Sequence, residues 1–116
     1  MIVIKEHRKE LKAQYSGREI VGGVYGIRNQ QNNKIFIEAS VDLQGSKNRF
    51  DFAQKTNLCP HFKLQADWSS HGSAAFVFEV LEELQKGEGQ TAAQFKADID
   101  ILVKLWGEKT DAALLY

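Results

Sequence analysis

Gly22-Gly23-Val24-Tyr25-Gly26-Ile27-Arg28-Asn29 is followed, after Gln30-Gln31, by Asn32-Asn33-Lys34-Ile35-Phe36-Ile37-Glu38-Ala39, and this stretch decides the fold. In its second half Ile35, Ile37 and Ala39 alternate with Lys34, Phe36 and Glu38. A period of two marks a half-buried strand, because successive side chains leave a strand on opposite sides. The connector Asn29-Gln30-Gln31-Asn32-Asn33 is turn chemistry, since Asn tolerates left-handed backbone. Runs 20–29 and 33–40 therefore read as a hairpin. Gly22-Gly23 marks a flexible or closely approached strand start.

Working outward, residues 3–15 read as a helix with a thin apolar stripe of Ile4, Leu11 and Tyr15, stopped by Gly17. Ser40 or Asp42 is placed to cap a helix over 43–55 that carries Leu43, Phe50 and Ala53 inward. A second helix follows Pro60 and runs to His71, with Leu64 and Trp68 on its inner face. Residues 75–82 are apolar on both sides, which predicts a strand covered on both faces. Residues 86–90 form a polar loop, and Thr91 caps a last helix ending at Trp106 or Lys109. Phe95, Ile99, Leu102 and Trp106 make its inner stripe. A small three-stranded sheet flanked by helices, α+β in class, is the expected architecture.

The chain has 116 residues, 43% of them hydrophobic and 26% charged, which suits one globular domain. No apolar run approaches the roughly 20 residues that span a bilayer. Cys59 is alone, which excludes an internal disulfide and a cysteine zinc cluster, and the expected address is the cytoplasm. Net charge is zero but unevenly spread. Residues 1–65 hold eleven basic and six acidic side chains; residues 66–116 hold four and nine. A basic surface and an acidic one are expected from that split.

The hairpin also resembles the one that names the GIY-YIG nucleases. Gly23-Val24-Tyr25 and, ten residues on, Phe36-Ile37-Glu38 stand as the two tripeptides, with a similar Asn-rich turn and Lys34 between them. Leu64-Gln65, His71-Gly72, Phe78 to Glu83 and the helix with Trp106 continue the likeness over roughly 22–109, leaving 1–18 as an N-terminal helical extension. The resemblance implies phosphodiester hydrolysis, with a tyrosine or a water it orients, an arginine against the phosphate, and a glutamate holding one divalent cation.

Carried over residue by residue, Tyr25 matches the first tyrosine, but Phe36 stands for the second and has no hydroxyl. Ser46 stands for the helix arginine, Phe50 for a residue often polar in the family, and Val103, three before Trp106, for the metal-binding glutamate. Glu38 replaces the glycine of the second tripeptide. The resemblance thus implies a pseudoenzyme with no cofactor and no metal site, whose role is binding. DNA or RNA is the expected partner, held by Tyr25, Arg28, Lys34, Lys47 and Arg49. One alternative is a rewired endonuclease using Tyr25, Glu38 and Arg49, with Mg²⁺ or another divalent cation; Arg49 lies three residues after Ser46 on one helix face. A second alternative is an interaction module that forms homo-oligomers through an exposed patch of Phe36, Phe50 and Val103. His7, His61 and His71 lack metal-ligand spacing, Cys59 reads as a packing residue, and Glu79, Glu82 and Glu83 read as a solvated strand end. Trp68, Trp106, Phe76 and Phe95 read as core.

Overall fold

The computed structural model describes residues 20–116, so the helix expected over 3–15 lies outside the described residues. Strand β1 (Val21–Asn29) and strand β2 (Ile35–Ser40) form the expected hairpin. Asn33 closes the turn with φ 64°, and its N–H donates to the Asn29 carbonyl at 2.7 Å. Helix α1 (Leu43–Thr56) starts at Asp42, whose carboxylate accepts from the Gly45 N–H at 3.2 Å. Asn57, at φ 57°, ends it. A 3₁₀ turn (Phe62–Leu64) leads into helix α2 (Gln65–His71). Strand β3 (Phe76–Gln85) and helix α3 (Ala92–Lys109) complete the core, and Thr91 caps α3 in a reciprocal capping box with Gln94.

The sheet is antiparallel with order β2-β1-β3, so β1 is central. Its register shifts between Val24 and Tyr25, where β3 contributes the extra residue Leu81. Gly23 sits beside this irregularity at φ +147°, and a Cβ there would lie 1.9 Å from the Glu82 carbonyl oxygen. Gly22 lets α3 approach, because its Cβ would meet Phe95 and Ile99 at 2.8 Å. The paired glycines at the strand start are therefore a requirement of packing and backbone geometry.

Apolar side chains fill both faces of the hairpin. Ile27, Phe36, Phe50, Ala53, Leu64, Trp68 and Phe76 form one cluster beneath α1 and α2. Val24, Ile35, Phe95 and Ile99 are buried on the α3 side. Four expectations need correcting. Strand β2 is not half-buried, since both Ile35 and Phe36 are inside. Strand β3, expected to be covered on both faces, is an edge strand that runs three residues past 82; of its residues only Phe76 is buried, and Val80 is 47% exposed. Its acids do not form a frayed end either. Glu79 and Glu82 lie within the strand, bonded to Arg28 Nε at 2.8 Å and to Trp106 Nε1 at 2.7 Å. Trp106 is correspondingly half-buried, not core. Among the described residues no helix is long and apolar enough to cross a membrane.

Candidate nucleic-acid interface

Tyr25, Ile27 and Asn29 alternate onto the same face of β1, the face under α1 and α2. Apolar Ile27 separates two polar groups, about 13 Å apart along the strand. At the first, Tyr25 lies opposite Glu38 in the β1–β2 register. Its ring stacks on Phe78 with centroids 4.8 Å apart. Helix α1 supplies Ser46 and Arg49, and Arg49 Nη2 donates to Ser46 Oγ at 3.0 Å. Ser46 is buried and also bonds Ser40 Oγ at 2.7 Å. Burial pushes the Tyr25 phenol above its ordinary pKa, and Glu38 adds to that; Arg49 and Ser46 pull it down. The group opens onto a cleft of about 500 Å³, lined by Tyr25, Arg49, Ala53, Leu58, Cys59 and Pro60 among others.

At the second group Asn29 is fully buried. The Gln31 N–H donates to its Oδ1 at 2.9 Å, which fixes the amide orientation. Its Nδ2 then faces His71 Nδ1 at 2.8 Å, Tyr116 Oη at 3.0 Å and Asp67 Oδ2 at 3.3 Å. An amide nitrogen carries two hydrogens, and the two shorter contacts use them. Tyr116 donates onward to Asp67 at 2.7 Å, and Asn32 donates to the same oxygen at 3.0 Å. The Tyr116 hydrogen bond leads in holding the Asp67 carboxyl below its ordinary pKa, while burial raises that of the Tyr116 phenol. This network ties β1, the hairpin turn, α2 and Tyr116 together.

The architecture of three antiparallel strands, two helices after the hairpin and one after β3 is shared with solved structures. The catalytic domain of the homing endonuclease I-TevI superposes with a TM-score of 0.58 at 24% identity, over 76% of this chain and 86% of that one. A point mutant of the same intron endonuclease domain gives 0.58 at 23% identity, over 78% and 84%. The chain has a GIY-YIG-like fold. The sequence itself matches no family model and no curated protein.

Within this GIY-YIG-like frame the structure brings together Tyr25, Glu38, Ser46 and Arg49, and it separates the remaining candidates from them. Phe36 and Phe50 are core residues, 7% and 4% exposed, so they make no exposed oligomerisation patch. Phe36 lies under the His61 ring, with centroids 4.4 Å apart, and Phe50 packs on Trp68 and Phe78. Val103 is half-buried on α3 and does not line the cleft. Arg28 projects to the opposite face of β1 and pairs with Glu79 at 2.8 Å. Lys34 sits at the far end of the hairpin, with its ammonium 5.7 Å from the Tyr116 ring centroid. Lys47 is on α1 but pairs with Asp51 at 3.1 Å.

Glu38 is the carboxylate that bears on the Tyr25 phenol, and among the described residues no three His, Cys, Asp or Glu side chains cluster as metal ligands. Cys59 lies on the cleft wall, with Sγ 3.0 Å from the His61 carbonyl oxygen. The sequence offered no sign of the Asn29 network, because its members lie 38, 42 and 87 residues from Asn29. His61 was likewise silent as a single histidine, although its ring covers Phe36.

Proposed function

We propose that this chain is a DNA-binding module on a nuclease-like fold, one that does not carry out phosphodiester hydrolysis. The observation that carries this reading is the fate of the two positions matched to the second tyrosine and the helix arginine. Phe36 is a buried ring without a hydroxyl, and the Ser46 hydroxyl is engaged inside the protein with Ser40. The raised pKa of Tyr25 adds support, because a phenol that holds its proton is a poor base near neutral pH. Binding is supported by the open cleft, with the Arg49 guanidinium on its wall. The solved structures with this fold belong to an endonuclease, and DNA is the partner that likeness suggests. The lone Cys59 suits a reducing cytoplasm.

Fluorescence anisotropy with a labelled DNA duplex at low salt tests the reading. Binding that weakens steeply with added salt is expected, because phosphate contacts release counterions. Failure to bind duplex or single strand at low salt overturns it.

The approach of Arg49 to Ser46 favours a second reading, a rewired endonuclease. It puts a cation beside the position matched to the family arginine, within electrostatic reach of Tyr25 and Glu38. That reading needs a divalent cation at Glu38, for which one carboxylate is a thin donor set. Plasmid left intact with Mg²⁺ or Mn²⁺ excludes it, whereas cleavage abolished in Glu38→Ala establishes it.

A further inference from the structure

Three aromatic rings stack outward from the core beside the cleft. Phe36 is buried, His61 lies over it at 4.4 Å, and Phe62 lies over His61 at 4.6 Å with 28° between the planes. The outermost ring, Phe62, is 79% exposed. Single exposed apolar residues are ordinary. What distinguishes Phe62 is the rigidity of its support. The Lys63 N–H donates to His61 Nδ1 at 3.2 Å, which fixes the imidazole, and the His61 carbonyl accepts from Leu64 N at 3.0 Å and from Cys59 Sγ at 3.0 Å. Leu64, two residues on and fully buried, anchors the turn that holds Phe62 outward.

The stretch of chain that carries the ring is basic, while Glu38 lies on the Tyr25 side of the cleft. From Phe52 to Ala66 the chain carries Lys55 and Lys63 and no acid. Pro60, two residues before Phe62, lines the same cleft as Arg49, and exposed Phe52 and Leu58 line it too. A flat ring held ready on a fixed stack, among cations, has the chemistry that takes a nucleobase on its π-face and the adjoining phosphates on its lysines. Bases within a duplex are already stacked on both faces, so an unpaired base is the ligand that suits the ring.

We propose that Phe62 is a stacking platform for an unpaired DNA base, extending the Phe36–His61 stack by one ring. The inference rests on the DNA-binding reading above and adds a preference for single-stranded or flanked DNA over plain duplex. Holding the ring in place beforehand removes an ordering cost from binding.

The test is anisotropy with three probes of one sequence: a duplex, the duplex with a single-stranded flank, and the single strand. Each is titrated with the full chain and with Phe62→Ala and Phe62→Trp. An exposed side chain can be truncated without loss of the fold, and circular dichroism checks that. The expected result is tighter binding of the flanked and single-stranded probes, about 10-fold weaker in Phe62→Ala. Phe62→Trp should retain that binding, and its fluorescence should be quenched on saturation. Binding of all three probes, unchanged in Phe62→Ala, overturns the stacking platform but leaves the DNA-binding reading standing. No binding of any probe overturns both. Tighter binding of the RNA of the same sequence overturns the choice of DNA. A dimer in sedimentation that Phe62→Ala dissolves assigns the ring to a second copy of the chain and overturns the proposal.

Discussion

Tyr25 and Asn29 leave the same strand on the same face, yet their surroundings are opposite in kind. Around Asn29 the strong hydrogen-bonding groups are satisfied within the protein, by Gln31, His71, Tyr116 and Asp67. Around Tyr25 one guanidinium, one phenol and one carboxylate meet at the mouth of a cleft. Both groups hold acids and a tyrosine, so residue types do not tell them apart. A polar cluster closed on itself holds the fold together, because burying it unpaired would be costly. A cluster left partly open keeps charge available for a ligand.

The contrast is broken most forcefully by Asn29→Ala. It removes a fully buried amide from partners that are themselves half-buried or exposed, and should cost about 1–3 kcal/mol of stability. Urea denaturation measures this, and a loss below about 0.5 kcal/mol, the level of an indifferent surface change, would remove the structural role. Tyr25→Phe, which deletes a half-buried hydroxyl at the cleft, should lower the same midpoint by less than about 1 kcal/mol.

A moderate effect is expected in binding. Arg49→Ala should weaken duplex binding about fivefold and reduce the slope of log affinity against log salt by about one. Arg28→Ala is the matched control, since Arg28 points to the other face and is paired with Glu79. Equal losses in both variants would mean that the cleft is not the contact surface.

Smaller effects appear in titration. The Tyr25 phenol should ionise above its ordinary value, lower in Glu38→Gln and higher still in Arg49→Ala, as followed by the tyrosinate absorbance that Tyr25→Phe removes. A shift in the reverse directions would mean that the three side chains are not together. At the other end, Asp67 has a depressed carboxyl pKa in the fold. Its stabilising contribution is therefore present above the unfolded value, about 3.9, and is lost as pH falls through the lower folded one. Asp67→Asn should flatten that acid limb of the stability profile, and an unchanged limb would discount the network's role there.

Much of the fold was legible because its signals are local. The Asn turn, the Asp42 cap on α1, the Thr91 cap on α3 and the stripe of Phe95 and Ile99 each depend on residues within a few positions of one another. Coverage of the strands was not legible in this way. Residues 75–82 read as apolar on both sides, but their place at an edge depends on which strand pairs with which, and β1 took the centre. The candidate site divided similarly. Arg49 was placed near Ser46 by helical spacing, while Arg28, equally basic and closer to Tyr25 in sequence, was sent to the other face by the alternation of β1.

The sequence alone determined the hairpin, its glycines and the helix caps, because each is a property of residue type at a fixed short spacing. Only the tertiary structure decided that Phe36 and Phe50 are core instead of an exposed patch. It alone joined Tyr25 to Arg49 across a helix and a strand, and closed Asn29 with residues up to 87 positions away. The physical reason is that side-chain periodicity fixes direction relative to one element, whereas burial and partnership depend on what the rest of the chain brings to that side.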